Sequence, residues 1–561
     1  MTRYHRINAI SALLLCCYFV VNIAAQIGIP EEVQKAQTLI QAKDYDGAIK
    51  ILEDFTQKNP NRMGALSVLG TAYQGKGEYD KAIATFEKVR QFPPLRPSAI
   101  YHIATIYVLE NNKESAFKYL QFLRDSGAFD MTLILTDPNM KPLKDDSRFE
   151  RLIPKRDEFA NPFVENVKII REWDGEQKGS QFGWIARRIG DVDGDGAIDF
   201  VTSAPTYSVN GQPAGKIYVY SSKSGKLLWS QTGQGSDNLG IGVECAGDTN
   251  GDGIPDVVAS APGSGRAYVY SGKDGRVLLT LSSKDTAGEA FGRHVATAGD
   301  INGDGRDDVI IGAPGSNPQK PGHAYIYSGK DGGLLLALQG ENAGDGFGSS
   351  VAGYKNGKHS FVIVGAPGAG PKHTGRAYVY EGLSSKPKFV FESDESGAAF
   401  GAMFLSAVGD VNGDKIPDIY VSDFTNSANG PSTGRIYVYS GADGKLLFTL
   451  TGEQAGNGFG IGIADAGDVN RDGYDDLIIG AWQYSGAASS GGKSYLYSGK
   501  DGKLLQMYTC KIPGDTFGFD ATQIGDVDGD GAIDFLITSA WSQINGFQSG
   551  RVFIISSKVG N

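Results

Sequence analysis

The sequence has 561 residues with a formal net charge of −11, and 40% of the residues are hydrophobic. A chain of this length exceeds what one hydrophobic core usually holds, so we expect two or more domains. The acidic balance excludes nucleic-acid binding through the phosphates and a polybasic membrane patch. Glycine, at 78 residues and without a three-residue period, indicates many tight turns.

Residues 1–25 are typical of an export signal. Arg3 and Arg6 precede the apolar run AISALLLCCYFVV, and small residues follow before a predicted cleavage near Ala25. The run is shorter than the roughly 20 residues that span a bilayer. We therefore expect a secreted, periplasmic or cell-surface protein without a transmembrane helix in the mature chain; a retained membrane anchor is the alternative. Cys245 and Cys510 then remain, and the sequence leaves open whether they pair.

Residues 26–125 contain a repeat of 34 residues. The segments DYDGAIKIL, EYDKAIATF and NKESAFKYL recur at this spacing and align Ala48, Ala82 and Ala116. Small and large residues four positions apart suit stacked helical hairpins. The pattern resembles the tetratricopeptide repeat (TPR) family, which implies three repeats and a protein-binding groove. A scaffold that only positions the next domain is the alternative, and residues 126–162 are predicted to cap the stack and link it onward.

A second repeat fills residues 163–561 and occurs seven times. Each copy has an FG pair, a GAP-like triplet and an alternating segment such as GRAYVYSGKDG, always in this order, except that Leu239 replaces the phenylalanine of the pair in the second copy. Each copy supplies about four short strands, one of which is expected to hold the FG pair, and this predicts a seven-bladed β-propeller. The fold class is therefore mixed and multi-domain, with an all-α TPR-like repeat followed by an all-β propeller.

The predicted ring closes with its first strand. The last copy ends at GRVFIISSKVGN without a fourth strand, whereas VKIIREWDGEQ, starting at Val167, has no partner before it. We expect this segment to complete the last blade. The three markers together resemble the FG-GAP repeats of the integrin α-subunit head. That resemblance implies calcium loops on one face of the ring and partner binding on the other.

Six copies carry an acidic loop with side-chain oxygens at positions 1, 3, 5 and 9. A hard cation that takes six to eight oxygens suits this spacing, with a backbone carbonyl at position 7, so we expect about six calcium ions that stabilise the hairpins. An acidic turn that only faces water is the alternative. The predicted ligands are Asp191, Asp193, Asp195, Ala197 and Asp199; Asp248, Asn250, Asp252, Ile254 and Asp256; Asp300, Asn302, Asp304, Arg306 and Asp308; Asp410, Asn412, Asp414, Ile416 and Asp418; Asp468, Asn470, Asp472, Tyr474 and Asp476; and Asp526, Asp528, Asp530, Ala532 and Asp534.

Two copies depart from this pattern. In the fourth, Tyr354, Asn356, Lys358 and Phe361 stand where the oxygen ligands would be, so we expect that blade to be metal-free. In the fifth, Lys415 replaces the glycine at position 6, where a positive φ is expected.

The loops after the GAP-like triplets lie on the opposite face and combine aromatic with polar residues, which suits a protein or glycan partner. The candidate partner-face residues are Tyr207, Asn210, Lys372, His373, Phe424, Trp482, Tyr484, Trp541, Asn545 and Phe547. Alternatively, Trp482 and Trp541 only fill the ring. The sequence has no serine elbow and no phosphate-cradling loop, so we expect no catalytic residues and a non-enzymatic adhesion or interaction module. A polysaccharide-active, lyase-like enzyme or a glycan-binding module is the alternative.

Overall fold

The computed structural model describes residues 29–283, 290–315, 319–357, 359–393 and 399–559. The predicted export signal lies outside these residues. The chain divides into two compact units, Met1–Glu158 and Phe159–Asn561. Within the described ranges, no helix is both long enough and apolar enough to cross a membrane.

The first unit is a series of antiparallel helical hairpins. Its helices are α1 (Glu31–Gln41), α2 (Tyr45–Lys58), α3 (Met63–Lys76), α4 (Tyr79–Val89), α5 (Arg96–Leu109), α6 (Lys113–Ser126), α7 (Leu133–Thr136) and α8 (Ser147–Arg151). Short 3-10 turns cover Pro93–Leu95, Pro138–Leu143 and Arg156–Phe159. Asp44 and Asn112 cap α2 and α6 by accepting the backbone N–H groups of Gly47 and Ser115.

The aligned alanines of the repeat lie where neighbouring helices meet. Ala48, Ala82 and Ala116 are completely buried, which confirms the small face predicted from the 34-residue period. Phe86, also completely buried, packs next to this face and stacks on His102, with ring centroids 4.6 Å apart. Burial lowers the pKa of His102, so this imidazole is neutral near pH 7.

The second unit consists of seven four-stranded antiparallel sheets, which we number as blades in chain order. Blade 1 contains β2 (Ala186–Gly190), β3 (Asp199–Ala204), β6 (Lys216–Tyr220) and β7 (Leu227–Thr232), and a small hairpin of β4 (Ser208–Val209) and β5 (Gln212–Pro213) lies between β3 and β6. Blade 2 contains β8 (Val243–Gly247), β9 (Asp256–Ala261), β10 (Arg266–Tyr270) and β11 (Val277–Leu281). Blade 3 contains β12 (Val295–Gly299), β13 (Asp308–Ala313), β14 (His323–Tyr327) and β15 (Leu334–Gln339).

The remaining blades repeat this order. Blade 4 contains β16 (Val351–Asn356), β17 (His359–Ala366), β18 (Arg376–Glu381) and β19 (Phe389–Glu392). Blade 5 contains β20 (Leu405–Val408), β21 (Asp418–Asp423), β22 (Arg435–Tyr439) and β23 (Leu446–Thr451). Blade 6 contains β24 (Phe459–Gly467), β25 (Asp476–Ala481), β26 (Lys493–Tyr497) and β27 (Leu504–Thr509). Blade 7 contains β28 (Ala521–Gly525), β29 (Asp534–Ser539), β30 (Arg551–Val559) and β1 (Val167–Asp174).

The blades form a closed ring around a channel. The first strands of consecutive blades contact one another all the way round, including β28 with β2. The second strands are buried along their length, as their unbroken apolar runs predict. The strand β1 pairs with β30, from Asp174 opposite Arg551 to Val167 opposite Val559, which confirms the predicted closure.

The FG pairs precede the first strands and do not form part of them, except in blade 6, where β24 begins at Phe459. The prediction that one strand of each blade holds the pair is therefore wrong for the other blades. Phe182, for example, is buried four residues before β2. Gly183 follows it with a φ of 82°, and a Cβ there would lie 2.7 Å from the carbonyl oxygen of Arg551. This close approach explains the glycine in the pair.

Candidate metal centres and the opposite face

Six blades carry an acidic loop between the first and second strands, and we number these loops by their blades. They follow β2, β8, β12, β20, β24 and β28. Because neighbouring strands of a blade are antiparallel, these loops and the turns between third and fourth strands lie at one end of the blades. The loops after the second strands lie at the other end.

Acidic loop 1 is curled by its own carboxylates. Asp191 accepts hydrogen bonds from the backbone N–H groups of Gly194, Asp195 and Gly196 at 2.7, 3.1 and 2.9 Å. Asp195 accepts one from Ala197 at 3.0 Å. The loop's N–H groups are thus satisfied by side chains that also carry its negative charge.

The same bonds recur in the other acidic loops. At position 1, Asp248, Asp300, Asp410, Asp468 and Asp526 each accept the N–H of the residue at position 6. At position 7, Ile254, Arg306, Ile416, Tyr474 and Ala532 each donate their N–H to the carboxylate at position 5. Lys415 has a φ of 68°, close to the 85° of Gly196, which confirms that position 6 requires the left-handed region.

The aspartate at position 9 is completely buried in all six loops. Asp199 accepts the N–H of Val192 at 3.0 Å on Oδ2 and the N–H of Ser222, in the turn between β6 and β7, at 3.1 Å on Oδ1. Burial raises the pKa of Asp199 to about 6. The equivalent residues, all completely buried, are Asp256, Asp308, Asp418, Asp476 and Asp534. An ionised carboxylate at this depth is costly unless a positive charge lies close to it.

Two loops bring three carboxylates together. In acidic loop 1 these are Asp191, Asp193 and Asp199, and in acidic loop 7 they are Asp526, Asp528 and Asp534; one oxygen from each lies within 4.8 Å of the others. A cluster of oxygens alone is the donor set that calcium and other hard divalent cations prefer. These residues therefore fit such an ion, which would neutralise a cluster that otherwise repels itself.

The other four loops have asparagine at position 3, and its amide nitrogen contacts a carboxylate. Asn250 and Asn412 donate to the position-9 oxygens of Asp256 and Asp418, at 3.1 and 3.0 Å. In loops 3 and 6, Asn302 and Asn470 donate to the position-5 carboxylates of Asp304 and Asp472. Each amide oxygen accepts the N–H of the residue at position 5, as Asp193 does in loop 1. The side-chain positions are thus shared, but these loops have one carboxylate fewer.

Blade 4 has a different hairpin tip. The ring of Tyr354 stacks on that of Phe361 with centroids 4.8 Å apart, and the Lys388 ammonium lies 4.7 Å from the Phe361 centroid. Asn356 pairs with His359 across a short turn, and Lys358 lies outside the described residues. Aromatic packing here replaces the carboxylates of the other loops.

On the opposite face, three of the predicted aromatic anchors belong to the core. Trp482 is completely buried, and Trp541 and Phe424 are only 6% and 5% exposed. The two indoles pack against each other with centroids 4.7 Å apart, and both contact the ring of Phe519. For Trp482 and Trp541 this burial confirms the alternative that they fill the ring in place of the smaller GAP proline. For Phe424 the prediction of an exposed anchor is wrong, because its side chain is buried too.

The other residues predicted for this face remain accessible. Tyr207 and Tyr484 are half-buried beneath the ammonium groups of Lys216 and Lys493, at 5.0 and 4.7 Å from the ring centroids. Phe547 is half-buried, whereas Asn210, Lys372, His373 and Asn545 are exposed. Polar side chains with a few partly covered rings therefore dominate this surface.

The channel contains charged groups that the sequence does not single out. Arg187 on β2 forms ion pairs with Asp520 and, at 3.0 Å, with Glu244, and Arg188 lies 3.4 Å from Asp465. Arg187, Arg188, Glu244 and Asp465 line a cavity of about 490 Å³ between the first strands. These partners come from different blades, so no local spacing could have revealed them. Cys245 also lines this cavity, and neither it nor Cys510 forms a disulfide.

The fold and its loops define a class: a closed seven-bladed propeller whose hairpin tips are repeated oxygen-rich loops, preceded by helical hairpins. Comparison with known families agrees. An FG-GAP-like repeat model matches residues 248–311 and 410–479, an FG-GAP repeat model matches 462–497, and a tetratricopeptide repeat model matches 39–105.

Individual relatives of the propeller are integrin α subunits. The chain is 31% identical to integrin alpha-4 of Xenopus laevis over 252 residues, and 32% identical to integrin alpha-2 of Bos taurus over 262 residues. Each match covers 41% of this chain, but only 23% and 21% of the relatives, so the chain spans less than a quarter of their length. The second unit is thus a propeller similar to that of integrin α subunits and contains FG-GAP-like repeats, and TPR-like repeats precede it.

Proposed function

We propose that this chain is an exported, non-enzymatic adhesion or interaction module whose propeller is stabilised by calcium in its six acidic loops. The observation that carries the proposal is the convergence of carboxylate oxygens within 4.8 Å in loops 1 and 7, each around a buried aspartate. The ligands would be the side chains at positions 1, 3, 5 and 9 and the carbonyl at position 7. A bound divalent ion supplies the positive charge that these buried carboxylates need.

The test of this role is thermal unfolding of the full chain in calcium and in chelator. Ligand that binds only the folded state stabilises it by mass action, so we expect a clear fall of the propeller's melting temperature in chelator, restored by calcium. Elemental analysis of dialysed protein should give about six calcium ions per chain. An unchanged midpoint together with no bound alkaline-earth ion would reject the proposal.

A protein or glycan partner would bind the face opposite the acidic loops. Support comes from its accessible polar residues Asn210, Lys372 and His373 and from the half-buried rings of Tyr207 and Tyr484. Relatives named as integrin α subunits make a protein partner the first candidate and a glycan the second. The TPR-like repeats offer a further groove for a protein, or serve as a scaffold.

A partner screen needs a control at the other end of the blades. Pull-down from surface extracts and a glycan array, both in calcium, would use the triple variant Asn210→Ala, Lys372→Ala, His373→Ala. Lys386 is exposed in the turn between β18 and β19, at the end that carries the acidic loops, so Lys386→Ala is the matched control. We expect only the triple variant to lose binding. Equal binding by both variants would remove this face as the partner site.

The polysaccharide-active enzyme ranks second. Its candidate active site is the channel, where Arg187 already pairs with both Glu244 and Asp520. Burial lowers the pKa of the nearby His294 to about 3, which makes it a poor proton donor at neutral pH. Cleavage of a purified polysaccharide by the chain would reverse this ranking.

A further inference from the structure

Acidic loops 1 and 7 have the same sequence. Residues 190–200 and 525–535 both read GDVDGDGAIDF. Their internal bonds agree as well: Asp526 accepts the N–H groups of Gly529, Asp530 and Gly531 at 2.8, 3.0 and 2.7 Å, as Asp191 does in loop 1. Any difference between the two loops therefore comes from their surroundings.

The first difference is a lysine on the loop's carboxylates. The Lys168 ammonium, on the closing strand β1, lies 2.5 Å from Oδ2 of Asp528 and 3.4 Å from Oδ2 of Asp530. In loop 1, Lys223 donates to the backbone carbonyl oxygen of Asp195 at 2.6 Å. Its counterpart Lys558 donates to the equivalent carbonyl oxygen of Asp530 in loop 7 and also lies 3.3 Å from Oδ1 of that residue, so Lys168 is an additional cation at loop 7. Among the described residues, no lysine or arginine forms an ion pair with a carboxylate of loop 1.

The register of β1 explains why Lys168 turns to this loop. By its pairing with β30, Lys168 occupies the position that Lys445 and Lys503 hold just before β23 and β27. Those two lysines pair with aspartates of their own turns, Asp443 and Asp501, at 2.7 and 2.6 Å. No turn joins β30 to β1, so the usual partner is missing and Lys168 reaches the acidic loop.

The second difference is an unpartnered buried oxygen. In loop 1, Oδ1 of Asp199 accepts the N–H of Ser222 from the turn between third and fourth strands. Asp534 is completely buried and accepts the N–H of Val527 at 2.8 Å on Oδ2, but its Oδ1 has no hydrogen-bond partner. Loop 7 thus lacks, at its buried aspartate, a hydrogen-bond donor that loop 1 has.

We propose that Lys168 is an internal competitor for calcium at loop 7: its ammonium neutralises the loop in calcium-free protein and leaves Asp528 when the loop is loaded. This inference rests on the proposed calcium function. It makes loop 7 the one acidic loop of the two identical copies whose affinity depends on a lysine from the closing strand. The same ion pair helps to hold β1 on the ring when calcium is absent.

The test measures each loop separately in the full chain. Hydrogen exchange read by mass spectrometry, at a series of calcium concentrations, distinguishes the loops because their flanks differ: ARRI before loop 1 and ATQI before loop 7. The variants are Lys168→Met, Lys168→Arg, which keeps the charge, and Lys223→Met as the matched control at loop 1.

We expect Lys168→Met to lower the calcium concentration at which loop 7 is half protected from exchange by about threefold. This factor corresponds to the free energy of one exposed ion pair. The loop 1 midpoint should stay in place, Lys168→Arg should behave as the wild type, and Lys223→Met should shift its loop less. In chelator, Lys168→Met should expose β1 to faster exchange. An unmoved loop 7 midpoint, or equal shifts in both loops, overturns the inference while calcium binding stands. If neither loop of the wild-type protein responds to calcium, the proposed calcium function is rejected, and this inference is rejected with it.

Discussion

Blades 1 and 7 contain the same acidic loop but are closed in different ways. In blade 1 all four strands follow one another along the chain, and the turn between β6 and β7 donates Ser222 N–H to the buried Asp199. In blade 7 the fourth strand comes from the opposite end of the unit, and Asp534 keeps an unpartnered oxygen. Loops of identical sequence can therefore differ in how their negative charge is compensated, because part of that compensation comes from residues outside the loop.

The largest expected difference lies in the cations that begin the third strands. Arg551 on β30 is only 1% exposed, pairs with Glu172 at 2.6 Å and donates to the carbonyl oxygen of Phe159 at 3.2 Å. Lys216 on β6 pairs with Glu176 at 2.6 Å, but the lysine side chain is 15% exposed and is therefore less buried than Arg551. Urea unfolding should show that Arg551→Met lowers the free energy of unfolding by roughly 3 kcal/mol, whereas Lys216→Met lowers it by less than about 1 kcal/mol. Equal losses of unfolding free energy would mean that the pair of Arg551 and Glu172 contributes no more to stability than the pair of Lys216 and Glu176.

The second prediction concerns the buried aspartates in chelator. Asp199→Ala leaves the N–H groups of Val192 and Ser222 without their acceptor, whereas Asp534→Ala leaves only that of Val527. In urea unfolding, we expect Asp199→Ala to lower the free energy of unfolding by about 2 kcal/mol and Asp534→Ala to lower it by roughly half as much. A larger loss for Asp534→Ala would contradict the bonding difference between the loops.

The third prediction is that stability in chelator depends on pH through the same two buried aspartates. Burial raises the pKa of Asp199 to about 6 and that of Asp534 to about 7, above the roughly 3.9 of an unfolded aspartate. The folded state therefore holds protons that the unfolded state has lost, so this contribution is fully present below pH 4 and disappears as pH rises through 6 to 7. We expect the urea midpoint to fall as pH rises from about 4 to about 7.

Two matched variants show which aspartate causes the dependence of the urea midpoint on pH. Asp534→Asn should flatten the dependence between pH 6 and 7 more than Asp199→Asn does, because the pKa of Asp534 is the higher of the two. A slope that neither variant changes would place the titration elsewhere in the chain.

The smallest effect is expected in blade 4. Its hairpin tip packs Tyr354 on Phe361 and has no acidic loop, so hydrogen exchange of β16 and β17 should not respond to calcium. Protection of these strands comparable to that of loop 1 would show that calcium acts on the whole ring and not on single hairpins.

Much of this architecture could be predicted from repeated spacing. The period of the FG and GAP-like markers predicted seven blades, and the unmatched segment at Val167 predicted the closing strand, which pairs with β30. The ring of oxygens at fixed positions predicted which residues curl each hairpin tip. Lys415 was correctly assigned a positive φ because position 6 has one backbone geometry in every copy.

Other features could not be predicted in this way. The sequence left open whether Trp482 and Trp541 are surface anchors or fill the ring, and only the structure shows that they pack together in the interior. The ion pairs of Arg187 join blades whose residues are distant in sequence. Burial and long-range charge depend on what neighbouring blades bring to a position, and no single copy of the repeat contains that information.

By itself, the sequence determined the helical hairpins, the number of blades and the position of every acidic loop, because these depend on local periodicity and turn chemistry. Only the tertiary structure decided how the two copies of GDVDGDGAIDF differ. Ser222 contacts loop 1 from the turn between β6 and β7, whereas Lys168 contacts loop 7 because the closing strand enters blade 7 without such a turn. Electrostatic compensation is set by distance in space, and closing the ring changes that distance without changing one residue of the loop.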